Sequence, residues 1–388
     1  MSMVAPSNNF FQNMDTRYKS LALRKIYRDA VFSDPSLSEE FRKPIVLKFK
    51  DNDKIKDSVI NSILISFNND FRDFVSVEDQ ALLYTEGEYT IVASVHPMVD
   101  EFNEDWIFIA MIMPALSDSS VMTESLDSFA NTLNNRSGYG LWTNYKSDAG
   151  DNTMFAYMSG ITIKKSNWSL RTDSFASYSI QQLHAYGSKM LEDDNFSSKT
   201  LTKILADNIA YANTAKVELD ELSQQGVFDF INKLSPKLQS ALTVEPDRQG
   251  YKFYLPLREG KVNKSTTVRL TPWVNPILGG GLFVSAELPG ILPKNELAKI
   301  VKKLNLGDTD DELIVHTTPK LVGSWAADLV GMEDEWVSVS YNAFIPFGEP
   351  HNFTLSEQIE GIVKEIYTSW PKFNDQVLFS KLIESQEG

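Results

Sequence analysis

The sequence predicts an α+β protein built from two tandem α-β-β-β-α-β-β-α units with mainly antiparallel sheets, joined by a long helix. Two observations carry this. Residues 107–134, "IFIAMIMPALSDSSVMTESLDSFANTLN", and residues 282–305, "LFVSAELPGILPKNELAKIVKKLN", both write an apolar strand ending in proline, a polar turn, and a helix ending in Leu-Asn. The helical stripe Leu126, Phe129, Ala130 and Leu133 also recurs 171 positions later as Leu297, Ile300, Val301 and Leu304. Apolar spacing outlasts side-chain identity when a backbone plan is shared, so the pattern points to duplication.

The first clear helical period is "KIKDSVINSILISF", with Ile60, Ile63, Leu64 and Phe67 at i, i+3, i+4 and i+7. Strands follow in "ALLYTE", in "EYTIVASV" after Gly87, and in "WIFIAMIM" after the acidic loop "DEFNED". The second helix enters through Thr123 with Glu124 in its first turn. "YGLWTNYK" and "TMFAYMSGITI" are strands joined by the turn residues "SDAGDN". Ala176, Ile180, Leu183, Gly187 and Met190 mark the closing helix of this unit.

The second unit opens with a helix carrying Val227, Ile231, Leu234 and Leu238. The strands "YKFYLPL", "TTVRLTPWV" and "GLFVSAEL" come next, then the Leu297–Leu304 helix, then the strands "DELIVHTT" and "EWVSVSYNAFI". A helix with Leu355, Ile359, Ile362, Ile366 and Trp370 closes it, in nearly the spacing of its upstream counterpart. Between the units, Leu201, Leu205, Ala212, Ala215, Leu219 and Leu222 draw one narrow seam along a linker helix. The division is therefore an N-terminal unit with a helical extension over residues 1–191, a linker helix over 192–226 and a C-terminal unit over 227–388.

Of the 388 residues, 42% are hydrophobic and 23% charged, values of an ordinary folded chain. Lys and Arg number 37 against 52 Asp and Glu, a net charge of −15 that repels phosphate backbones and argues against nucleic-acid binding. There are no cysteines, which removes disulfides, thiolate metal sites and thiol nucleophiles together. A cytoplasmic location is expected. Neither a basic start with an apolar core nor an apolar run of membrane-spanning length is present, so no membrane association is expected.

Four histidines, His96, His184, His316 and His351, show no metal-binding spacing and read as structural. Gly279–Gly281 precede a strand rather than a helix, so they read as a hairpin connection and not a phosphate loop. The acidic runs 307–312 and 331–336 lack the glycine and distal glutamate of a calcium loop. Catalytic residues, metal and cofactor are all expected to be absent. A sheet face that meets no helix would leave aromatic side chains for a partner, and Trp142, Tyr145, Tyr251 and Phe253 are the anchors expected there.

The strand-turn-helix "LFVSAELPGILPKNELAKIVKKLN" and the following "EWVSVSYNAFIP", with their first-half counterparts, resemble two tandem copies of the type III secretion chaperone-like/YbjN fold. That resemblance implies a non-catalytic chaperone or adaptor holding an extended stretch of a client polypeptide, in a secretion, toxin or phage-defence system. The fused tandem would act as a monomeric pseudo-dimer. The competing reading is an enzyme or small-ligand sensor with its site in the cleft between the repeats.

Overall fold

In a computed structural model of the chain, the protein is α+β with two mainly antiparallel sheets. The structure describes residues 45–117, 138–146, 153–192, 245–247, 250–259, 262–275, 277–292, 312–315, 323–327 and 337–346, with helical residues within 127–134, 300–305 and 358–369. The linker seam, the N-terminal extension and the opening helix of the second unit lie outside these residues.

Strand β1 (Ile45–Phe49) leads into α1 (Asp53–Ser66), whose start is fixed by Asn52, the side chain of which accepts from the Ile55 amide at 3.2 Å. The meander β2 (Val75–Glu78), β3 (Ala81–Glu86), β4 (Tyr89–Val99) and β5 (Asp105–Ser117) follows, then β6 (Leu141–Lys146), β7 (Thr153–Lys164) and α2 (Leu170–Glu192). The second half contributes β8 (Glu245–Asp247), β9 (Gly250–Glu259), β10 (Val262–Asn275), β11 (Gly279–Leu292), β12 (Glu312–Val315), β13 (Gly323–Ala327) and β14 (Val337–Pro346).

The first sheet runs β12-β1-β4-β5-β7-β6, with β2 and β3 added beside β4; the second runs β13-β14-β11-β10-β9-β8. The core path β3-β4-β5-β7-β6 thus has the same order as β9-β10-β11-β14-β13. Both central pairs break register near a strand proline, between Pro114 and Leu116 in the first sheet and between Leu288 and Leu292 in the second. Proline cannot donate to a ladder, and a bulge accommodates it in an interior strand.

The pairing of one predicted strand differs from the sequence expectation, and β1, β2 and β8 are strands it did not include. "ELIV" of the predicted strand "DELIVHTT" does form β12, but it pairs with β1 in the first sheet: Ile45 opposes Val315 and Lys48 opposes Glu312. The fourth core strand of the second sheet is instead the short β13, "GSWAA".

Both long helices cover one face of the first sheet. Val59, Ile60 and Ile63 of α1 and Phe175, Ala176, Ile180 and Leu183 of α2 join Ile91, Ala93, Val95, Ile107, Ile109, Met111 and Tyr157 in a single core cluster. The C-terminal part of α1 is tied to the start of α2 by Asp173, which accepts from Ser62 Oγ and Trp168 Nε1 at 2.5 and 2.6 Å. Leu278, Phe283 and Phe344 of the second half belong to the same cluster, so the two sheets share a core. Gly138 sits at this junction with φ +60; a Cβ there would lie 2.7 Å from the Phe283 ring, and its carbonyl accepts from the Phe344 amide.

Candidate functional site

Strand pleating sends alternate residues to opposite faces, so the face of the first sheet turned away from α1 and α2 can be read from the register. One cross-strand row is Leu83, Val92, Ile112 and Met158; the next is Ala81, Ser94, Ala110 and Gly160. A third contains His96, Phe108 and Thr162. Leu83, Val92, Ala110, Ile112 and Met158 all keep intermediate exposure, whereas Ile91, Ala93, Ile107, Ile109 and Met111 on the helix-covered face are at 0%. This is an apolar sheet face still in partial contact with water.

At its β1 end the face becomes aromatic. The Phe108 ring lies across Gly160, stacks on His96 at 5.9 Å between centroids, and His96 in turn meets the edge of Phe49 at 5.6 Å. Phe49 is 55% exposed. Beside it on the same face, Leu47, Met98 and Trp106 form a small separate cluster that is buried, with Ile45 and Phe108 packed against it. Asp100 anchors this corner: its carboxylate accepts from Trp106 Nε1 at 3.0 Å and from the Phe102 and Glu104 amides at 2.9 and 2.8 Å. Burial pushes its pKa up, but those hydrogen bonds and the Lys164 charge outweigh burial and hold the carboxyl below its ordinary value. For His96, burial and then the Lys56 charge both lower the pKa, favouring the neutral ring.

The edges of the sheets are closed in different ways. Asn134 grips Trp142 of β6 through both backbone groups, donating to its carbonyl at 2.9 Å and accepting from its amide at 2.8 Å. Asn305 does the same to Trp325 of β13, at 2.9 and 2.7 Å. Asn131 crosses between the halves and grips Ala327, two residues beyond Trp325, at 2.6 and 2.9 Å. Lys302, which holds the same place in its helix as Asn131, reaches the side chain of Asn144, two residues beyond Trp142, and pairs with Asp127 at 3.3 Å. The helix of each half thus reaches the edge strand of the other. By contrast, β1 is closed by a main-chain ladder to β12.

Of the expected anchors, Trp142 and Phe253 are core residues, 1% and 0% exposed. Trp142 stacks on Tyr157 at 4.6 Å, and Phe253 opposes Val268 on the buried face. Tyr145 opposes Met154 and Tyr251 opposes Leu270 by register; their side chains lie outside the described ones. The sequence reading missed β1, His96 and Phe108 as members of a surface. The signal available was the short apolar run "IVLKF" between Pro44 and the helix cap Asn52.

His184 is satisfied structurally, 3% exposed with Nε2 3.0 Å from the Tyr89 carbonyl; His316, His351 and the two acidic runs, apart from the backbone of Glu312, lie outside the described residues. Gly279, at φ +75, turns the β10–β11 hairpin, and Asn275 Oδ1 accepts from the Ile277 and Leu278 amides within that turn. Among the described residues no group of three or more His, Asp or Glu is placed to hold a metal, and no helix is long and apolar enough to cross a membrane. The chain matches no family model, no curated protein and no solved structure.

Proposed function

We propose that this chain is a tandem repeat acting as a non-catalytic adaptor, and that it holds an extended apolar segment of a partner polypeptide on the face of its first sheet turned away from α1 and α2. The observation that carries this reading is the row Leu83-Val92-Ile112-Met158 with the ring contacts Phe49-His96-Phe108 on the same face, apolar and aromatic yet part-exposed, while Ile91, Ala93, Ile107, Ile109 and Met111 on the opposite face are fully buried. Contiguous apolar surface of this kind marks partner sites on folded proteins. The acidic remainder of the chain keeps such a surface soluble.

The test is affinity capture from the native host with the full chain and with a Phe49→Ser/Leu83→Ser variant. Both positions keep water contact, so the melting temperature of the variant should stay within about 5 °C of the wild type. The expected result is one polypeptide captured in stoichiometric amount by the wild type and at least tenfold less by the variant. Equal capture by both proteins, or turnover of a small molecule abolished by one carboxylate substitution, defeats the proposal.

A further inference from the structure

We infer that the outer edge of β1 is a strand-accepting site for an extended polypeptide, and that β12 occupies it as a resident stand-in which a partner strand of like chemistry displaces. The inference rests on the partner-binding reading above and names the place and the ligand: a segment with one acidic residue followed by three large aliphatic ones.

The first support is where β12 comes from. In the first half the gripping asparagine and its tryptophan are 8 residues apart, Asn134 to Trp142; in the second they are 20 apart, Asn305 to Trp325. The common framework closes with the shorter connection. The extra length carries Glu312–Val315, and that segment leaves its own sheet to complete the other one.

The second support is the contrast between edges. Those of β6 and β13 meet side chains that satisfy the backbone groups of Trp142, Trp325 and Ala327 and so block a ladder at those residues. The β1 edge takes a strand in antiparallel register over four residue pairs. That is the mode by which sheets bind peptides: main-chain bonds supply affinity and alternate side-chain positions supply selectivity.

The third is chemistry and size. Glu312 stands opposite Lys48, and Leu313 opposite the fully buried Leu47, whose cluster with Met98 and Trp106 forms the apolar floor. The ladder spans four pairs, at the short end of the usual range for strands, so a longer partner strand could make more main-chain bonds than β12 does. The site joins the Phe49-His96-Phe108 aromatic row, and a longer partner strand would continue onto it.

The test uses the full chain and a fluorescein-labelled peptide of residues 309–318, TDDELIVHTT, read by anisotropy. Val46 and Ile314 oppose each other, at a separation within reach of a disulfide. Since the chain has no other cysteine, Val46→Cys/Ile314→Cys closes the edge reversibly. Oxidation should weaken peptide binding at least tenfold, and reduction should restore it. In a second variant, Leu313→Pro/Ile314→Pro, one of the two prolines must remove an amide directed at β1, because neighbouring amides in a strand point to opposite edges. That variant should bind the peptide at least tenfold more tightly than the wild type.

Peptide binding that is indifferent to oxidation overturns the inference, and so does a folded proline variant that binds no better than wild type, which would make β12 a plain staple between the halves. If oxidised and reduced protein capture the host polypeptide equally, the strand site falls and the adaptor reading stands. The adaptor reading itself falls on the Phe49→Ser/Leu83→Ser comparison or on the turnover result named with it, and on neither outcome of the peptide experiment.

Discussion

The two sheets keep one frame and differ in what they place on it. Their core strands run in the same order, each bulges near a proline, and in each the asparagine of a helical Leu-Asn pair grips the backbone of a tryptophan on the edge strand. The faces turned away from the helices share little. The first sheet presents Ala81, Ser94, Ala110 and Gly160 in one row and Leu83, Val92, Ile112 and Met158 in the next. The second presents Lys252, Arg269, Ser285, Asn342 and Ser324 in a single row across five strands. Ladder hydrogen bonds and grips fix backbone geometry and tolerate no substitute. On the second sheet that row is polar and largely buried, while Phe283 and Phe344 in the row beside it join the shared core, so this face is packed where that of the first sheet keeps a part-exposed apolar row. That difference is why the partner surface is assigned to the first sheet.

The grips give the largest predicted effect. Asn134 is 1% exposed, and Asn134→Ala strands a buried amide and carbonyl of Trp142, a loss of about 2–4 kcal/mol of unfolding free energy in urea titration. Asn305 is only part-buried, so water replaces some of its bonding and Asn305→Ala should cost roughly half as much. Equal losses would show that the two grips are energetically one device; no loss at either would break the comparison.

Next come the contacts between the halves. Asn131→Ala removes two bonds to Ala327 at a site 3% exposed and should cost about 1–3 kcal/mol. Lys302→Ala removes a part-exposed ion pair with Asp127 and one contact to Asn144, and should cost about 1 kcal/mol or less. The two positions correspond in their helices, so this ranking asks whether equivalent geometry or local burial sets the energy. A larger loss at Lys302 would favour geometry.

Much of the frame was legible in the sequence because periodicity reports burial. "WIFIAMIM" alternates into a fully buried row, and the α1 stripe Ile60, Ile63 and Phe67 is buried as spaced. Pairing partners were not legible. "DELIVHTT" has the hydropathy of a strand, but hydropathy does not say which sheet receives it, and the four residues that pair join the other half. "GSWAA" is too short and too rich in small residues to register as a strand, and only the shared Gly-x-Trp after Leu-Asn marks it. β2 escaped because its turn uses Asp79-Gln80, both at positive φ, in place of the Asn-Gly that announces such hairpins. Trp142 and Phe253 were placed on the wrong face because alternation in a strand does not say which side the helices cover.

A smaller effect comes from His96. Its folded pKa lies below the ordinary 6.5, through burial first and Lys56 second. The unfolded chain therefore takes up a proton before the folded one does. Stability is complete above pH 6.5 and falls as pH drops from there toward the folded value. Melting temperature measured from pH 7.5 to 5.5 should decline more steeply for the wild type than for His96→Phe, which keeps a ring against Phe108 but cannot titrate. Parallel declines would remove His96 as a source of acid sensitivity on this face.

The smallest effect tests the polar face of the second sheet. Ser324 is fully buried and its hydroxyl has no hydrogen-bond partner; beside it in register, Asn342 Oδ1 is likewise buried and unmatched. A hydroxyl removed from water without a partner carries its desolvation penalty uncompensated, about 1–3 kcal/mol. Ser324→Ala deletes that penalty at the expense of one small cavity, so the two terms nearly cancel and the expected change is between zero and about 1 kcal/mol of stabilisation. Leu141, the first residue of β6 and an apolar one, has no such group to lose. A loss of more than about 1 kcal/mol in Ser324→Ala, read by the same urea titration, would mean that the hydroxyl is satisfied in solution. The polar row would then be as well made as the apolar one, and its divergence from the first sheet would cost the fold nothing.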